Sequence, residues 1–211
     1  MDILYFTPDE YQELKEKDER LGKVMDITTL RIREITPDLF STMIRQMIHQ
    51  QISMKSAETV WGRFQEKLES ITPKTILSLS IDELQGLGIS MKKALWIHEA
   101  AKKFDEDPHF YTELSTKSNE DIRNHLLTFS GIGPWTVDML LMFSLGRKDI
   151  LSYEDLGVKN GLMKLYGLDS ISKKEFQSYR EKFSPLGTLA SLYFWEVYAK
   201  DFPMEKLPPL E

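Results

Sequence analysis

The chain reads as an all-α protein, and three observations predict it. Apolar residues recur at three- and four-residue spacing through most of its length. Ser, Thr, Asp, Pro and Gly stand where helices should start and stop. Strand-like alternation is confined to one short stretch, residues 28–32.

In order along the chain, Ile3-Leu4-Tyr5-Phe6 is a short apolar piece, and Thr7 precedes Pro8 as a helix cap. The charged run over residues 11–20 predicts a solvated helix, and Pro37 marks a boundary. From Asp38, the residues Leu39, Phe40, Met43, Ile44, Met47 and Ile48 give a helix one buried face. Residues 53–68 repeat the pattern with Ala57, Val60, Trp61, Phe64 and Leu68. Thr72-Pro73 opens a short helix through Leu79, and Ser80 with Glu83 forms a capping box. Gly86 and Gly88 make a turn before a helix over residues 91–104, after which Asp107-Pro108 interrupts. Ser118 with Asp121 starts a helix that runs into Ser130-Gly131-Ile132-Gly133-Pro134, and another helix follows that turn. Beyond a polar turn at Asp155, residues 157–166 form a short helix closed by Gly167. Ser172 with Glu175 caps a helix to about Phe183. Pro185 opens the last helix, residues 186–200, with Leu189, Leu192, Tyr193 and Val197 inward.

A length of 211 residues fits one domain or two small lobes, and 41% apolar content suffices for a sizeable core. No apolar run approaches the ~18 residues of a membrane span. The N-terminal segment is acidic where a leader would be basic. The expected location is cytoplasmic, with the nucleoid if bacterial and in the nucleus if eukaryotic. The absence of cysteine excludes disulfides, thiolate zinc sites, cysteine nucleophiles and a cysteine-ligated iron–sulfur cluster. A net charge of −6 and pI ≈ 5.4 argue against nucleic-acid binding through bulk charge. They leave room for a local patch and backbone amides, with modest non-specific affinity.

The most informative stretch is residues 126–161. The glycines of its turn allow positive φ and close backbone approach, and Pro134 suits the first helical turn that follows. Backbone N–H groups near a helix N-terminus are a natural seat for a phosphate oxygen. Asp155 is suited to capping the helix that begins at Leu156, the reading that residue pattern alone favours, and both that and acid–base or electrostatic work can hold together.

This stretch, together with Gly146-Arg147-Lys148-Asp149 and Tyr153-Glu154-Asp155-Leu156-Gly157-Val158, resembles the helix-hairpin-helix DNA glycosylases, closest to the DNA-3-methyladenine glycosylase II branch. Ile48-His49-Gln50-Gln51-Ile52-Ser53-Met54-Lys55-Ser56-Ala57 is similar to that branch's QQ-[IL]-S-x-K-x-A segment. Gly88-Ile89-Ser90-Met91-Lys92-Lys93-Ala94 resembles a G-hydrophobic-x-x-x-K-A turn of the superfamily. The resemblance runs in order over residues 18–195.

The resemblance implies an all-α, two-lobed fold with the active site in the cleft between lobes. Residues 38–150 would form one lobe, and residues 1–37 with 151–211 the other. It implies hydrolysis of the N-glycosidic bond of a damaged base flipped out of double-stranded DNA by a monomer. Asp155 matches the catalytic aspartate, which stabilises the oxocarbenium-like sugar and orients water. Glu154 falls beside that position. Trp135 stands where bifunctional relatives carry a lysine nucleophile, so a monofunctional enzyme leaving an abasic site is expected. Trp135 would also stack on a cationic alkylated purine, an attraction of roughly 0.5–2 kcal/mol, or would pack the two hairpin helices together. Met139, where some relatives have tyrosine, would line the same pocket.

Gln51 would wedge into the gap left by the base, with Gln50 supporting the loop. Ile89 would plug the opposite strand or make a plain apolar contact, and His49 would be structural. The amides of Gly131 and Gly133 would hold a phosphate, with Ser53, Lys93 and Thr136 as further DNA contacts. Lys92, Arg147, Lys148 and Lys159 are additional phosphate candidates. Backbone carbonyls of Leu127, Phe129 and Ile132 would bind a structural Na+ or K+. No other cofactor and no iron–sulfur cluster is expected. Ser152 replaces a usual proline, and Pro185-Leu186-Gly187-Thr188 lacks the branch's aromatic and arginine. Preferred substrates are alkylated purines such as 3-methyladenine. The alternatives are oxidised or deaminated bases such as 8-oxoguanine or hypoxanthine, and a non-catalytic binder of damaged DNA.

Overall fold

The structure, a computed structural model, describes residues 2–31, 33–199 and 201–209. The chain divides into two compact units, residues 36–140 and residues 1–35 with 141–211. Among the described residues the fold is helical apart from one short antiparallel ribbon, β1 (Asp2–Ile3) with β2 (Glu34–Ile35). The predicted strand is not there. Residues 28–31 are irregular, Ile32 lies outside the described residues, and the N-terminal apolar piece supplies the pairing partner.

In the contiguous unit, α3 (Leu39–His49), α4 (Met54–Leu68), α5 (Pro73–Leu77) and α6 (Ile81–Gly86) start at the caps Asp38, Ser53, Thr72 and Ser80. The long α7 (Met91–Glu106) is packed against by α3, α5 and α6. Asp107 does more than interrupt: its carboxylate accepts from the Phe110 N–H and caps a further short helix, α8 (Pro108–Thr112). The hairpin is α9 (Asn119–Leu126) and α10 (Pro134–Phe143). The periodic residues of α3 and α4 are buried as the spacing predicts.

In the other unit the charged run breaks into α1 (Pro8–Lys17) and α2 (Glu19–Ile27). Asp18 adopts an extended conformation, which ends the first helix, and its carboxylate accepts from the Leu21 N–H at 2.6 Å to start the second. Lys182 pairs with the same carboxylate. Helices α11 (Leu156–Tyr166), α12 (Lys173–Phe183) and α13 (Gly187–Tyr198) complete the unit. α13 is buried nearly all round, which explains its weak amphipathic pattern. Leu186 precedes α13 as its N-cap, and Lys200, the expected end of this helix, lies outside the described residues. Gly161 lets α11 and α13 meet, because a Cβ there would lie 1.9 Å from the Phe194 carbonyl oxygen.

Residues 141–150, assigned by sequence to the contiguous lobe, belong with the termini. Hydrogen bonds from the start of α13 hold them. The Thr188 hydroxyl donates to the Arg147 carbonyl at 2.6 Å and accepts from the Ile150 N–H at 3.0 Å. Ser191 donates to the Ile150 carbonyl at 2.9 Å, and Ser184 to the Asp149 carboxylate at 2.6 Å. The segment that departs from the glycosylase pattern therefore stitches down the approach to Asp155. Among the described residues no helix is long and apolar enough to cross a membrane.

Candidate active site

The hairpin helices are clamped by an ion pair between Arg123 of α9 and the buried Asp138 of α10. Between them, Gly131 has φ 80°, and a Cβ there would fall 2.3 Å from the Trp96 ring. Gly133 differs: its φ is not positive, and a Cβ would meet nothing within 4 Å. Nothing inside the protein requires glycine at this position, whereas close approach of an outside group would.

One face of α7 seats the hairpin turn. Trp96 lies under Gly131, and Lys103 donates to the Thr128 carbonyl at 2.7 Å. Hydrogen bonds from Ser130 and Lys103 hold the Glu99 carboxyl below the usual carboxylate range. Positions 96, 99 and 103 fall on one side of a helix.

The same unit carries the loop between α3 and α4. Gln51 is exposed at φ 59°, an uncommon conformation for a residue with a side chain. The Gln50 side-chain amide donates to the Gly131 carbonyl at 2.8 Å, which joins this loop to the hairpin. Lys93, expected to meet a phosphate, places its ammonium on the carbonyls of Ile48 (2.8 Å) and Gln50 (2.6 Å). Burial holds its pKa below the ordinary lysine value. Ser53 is the α4 cap, accepting from the Ser56 N–H at 3.2 Å.

Ile89 is only 7% exposed. Thr136 and Met139 are buried, while Trp135 is 41% exposed. Lys148 is engaged by Glu10, Nζ to Oε1 at 2.7 Å. Lys92 lies over the Trp96 ring and Lys159 over the Tyr153 ring. His49 is partly buried beside Glu58, and its Nε2 stands 3.6 Å from Glu58 Oε1 without a hydrogen-bond partner among the described residues. Of the expected cation ligands, the Phe129 carbonyl already accepts the Ile132 N–H at 3.1 Å, which closes the turn and leaves that oxygen one lone pair.

In the other unit, Asp155 is 7% exposed and is the N-cap of α11. Its Oδ1 accepts from the Val158 N–H at 2.8 Å and from the Trp195 indole N–H at 2.8 Å. Trp195 in turn stacks on Phe143 at a centroid distance of 5.9 Å. A Cβ at Gly157 would sit 2.6 Å from Trp195 Cδ1 and 3.2 Å from Asp155 Oδ1, so glycine is what permits the indole to reach the carboxylate. Sequence reasoning missed Trp195 and Gly157 as site residues. The available signal was two glycines four apart inside one helix, 157 and 161, which marks a close crossing. Glu154 instead faces solvent in an ion pair with Lys173 at 2.8 Å. Ser152 is buried.

A carboxylate fixed by two N–H donors on one oxygen is an oriented negative charge, and a hairpin of glycines opening a helix is an anion seat. Among the described residues, no cluster of His, Cys, Asp and Glu could hold a metal ion. The chain belongs to the HhH-GPD superfamily of base excision DNA repair proteins, whose family model matches residues 44–185. It is 31% identical over 166 residues to a Bacillus subtilis (strain 168) protein named "Putative DNA-3-methyladenine glycosylase YfjP". That match covers 74% of this chain and 58% of the relative, so the chain spans less than two thirds of that relative's length. A DNA-3-methyladenine glycosidase from Bacillus halodurans superposes with TM-score 0.84 at 28% identity, covering 92% of this chain and 90% of that one. The Schizosaccharomyces pombe 3-methyladenine DNA glycosylase, solved in complex with abasic DNA, superposes with TM-score 0.70 at 28% identity, covering 89% and 95%.

Proposed function

We propose that the chain is a monofunctional DNA glycosylase that excises alkylated purines of the 3-methyladenine type from double-stranded DNA and leaves an abasic site. The observation that carries this reading is Asp155, a buried carboxylate held by the Val158 N–H and the Trp195 indole at the family's catalytic position. As the C1′–N bond breaks, its electron pair leaves with the base. The carboxylate stabilises the positive charge that develops on the sugar. Water then adds to C1′ and gives up a proton toward the carboxylate.

The hairpin amides near Gly133 hold the backbone phosphate and the loop at Gln51 fills the gap. Trp135, exposed at the start of α10, stacks on the electron-poor base. With tryptophan in place of lysine at this position, no imine forms there and the strand stays uncut. The carbonyls of Leu127, Phe129 and Ile132 are hard oxygen donors that would hold a monovalent cation and stiffen the phosphate seat. The protein would act as a monomer wherever the genome lies: the cytoplasm and nucleoid of a bacterium, or a nucleus. Incubation with methylated duplex DNA should release 3-methyladenine, with no strand nick and no borohydride-trapped adduct. Release of only 8-oxoguanine or hypoxanthine from a lesion panel would overturn the substrate assignment. Binding of abasic-analogue DNA without release of any base would overturn the catalytic one.

A further inference from the structure

We infer that Lys93 is a positioning residue, a strut that holds the Gln50–Gln51 loop in its wedge conformation and ties that loop to the phosphate-gripping hairpin. The inference rests on the glycosylase reading above. Four observations support it.

The last carbonyls of a helix have no partner within it, and here Lys93 supplies the donors that α3 lacks, at 2.8 Å to Ile48 and 2.6 Å to Gln50. The lysine is half-buried, where a side chain meant for a phosphate should reach into solvent. The residue after Gln50, Gln51, is held at φ 59°. Such a conformation persists only when its surroundings over-determine it. Finally, the Gln50 whose carbonyl Lys93 grips extends its own amide to the Gly131 carbonyl at 2.8 Å. Lys93, Gln50 and Gly131 thus form one continuous line of hydrogen bonds from α7 through the wedge loop to the hairpin. Without the ammonium, two carbonyls lose their donors and the loop is free to relax away from the shape that displaces a base.

Lys93→Met keeps the apolar stem and removes the donors. A phosphate contact and a strut make opposite predictions for it. A strut leaves the salt dependence of undamaged-duplex affinity unchanged. A lost phosphate contact lowers the slope of log affinity against log salt by about 0.9. Base flipping, read from 2-aminopurine fluorescence in a duplex, should fall by at least about tenfold in Lys93→Met, the expected effect of losing charge-assisted hydrogen bonds. Lys93→Gln, which retains an amide donor but no charge, should recover part of it. A reduced salt slope with flipping intact overturns the inference.

A measurement on the unmodified chain covers the case in which the variants do not fold. The Lys93 ammonium NMR signal should stay in place when an oligonucleotide duplex is added, and displacement of that signal overturns the inference. If the unmodified chain itself flips no base, the glycosylase reading fails. If it flips and Lys93→Met flips equally well, the strut alone fails.

Discussion

Replacing Trp195 by phenylalanine should uncouple Asp155 from one of its two N–H donors while leaving the packing around it nearly intact. The ring can still stack on Phe143, 5.9 Å away, and Val158 still caps the carboxylate at 2.8 Å. What disappears is a 2.8 Å hydrogen bond to a buried, charged acceptor. Such bonds contribute about 1.5–3 kcal/mol net. If that contribution is felt fully in the transition state, the rate of base release falls by about one to two powers of ten, at ~1.4 kcal/mol per tenfold. The assay is single-turnover release of 3-methyladenine from methylated duplex with the protein in excess.

Gly157→Ala offers a second route to the same contact, since its Cβ would lie 2.6 Å from Trp195 Cδ1. The two changes break one interaction, so the double variant should lose no more than the worse single one. A double variant that loses the product of the two factors, or a Trp195→Phe protein as fast as the original, would refute the reasoning.

Asp155→Asn keeps a side chain that caps as well as aspartate does, so its unfolding temperature should be unchanged while base release is lost and abasic-analogue DNA still binds. Loss of binding in parallel would point to a structural part for the carboxylate. Alanine at Gly131 meets Trp96 at 2.3 Å and a φ of 80°, so it should lower stability. Alanine at Gly133 meets nothing, so it should leave stability intact and weaken duplex affinity. The opposite ordering in thermal melts and binding titrations would remove Gly133 from the phosphate seat. Burial lowers the pKa of both His49 and His125, with Glu58 and Asp107 partly offsetting it. The unfolded chain therefore takes up protons first as pH falls, and stability should decline below about pH 6.5, the ordinary histidine value. Urea midpoints across that window check this, and His125→Phe should flatten part of the decline.

Local signals made much of the molecule legible. The caps at Ser80, Ser118 and Ser172 accept the expected N–H groups, and the apolar faces of the helices that begin after Asp38 and Ser53 are buried. Asp155 was visible because a helix cap and a family position coincide. Non-local features were not visible. A two-residue ribbon between residues 2–3 and 34–35 has no periodicity to read, and the alternation at residues 28–32 was misleading. Asp18 lies inside a charged run, where nothing in composition separates a break from a helical turn. Lys93 looks solvated by type, and only the unpartnered end of α3 explains its inward turn. Trp195 reaches Asp155 across forty positions of sequence because Gly157 leaves room, a fact of helix crossing rather than of motif.

Helix α7 also acts as a ruler. Lys93 anchors the wedge loop near one end and Lys103 anchors the hairpin turn further along. At about 1.5 Å of rise per residue their Cα atoms stand roughly 15 Å apart along the axis. The two loops are thereby fastened to one rigid element, and the Gln50 amide joins them a second time at the Gly131 carbonyl. One residue inserted between the anchors would swing one against the other by about 100°, which would break the Gln50–Gly131 hydrogen bond that joins the two loops.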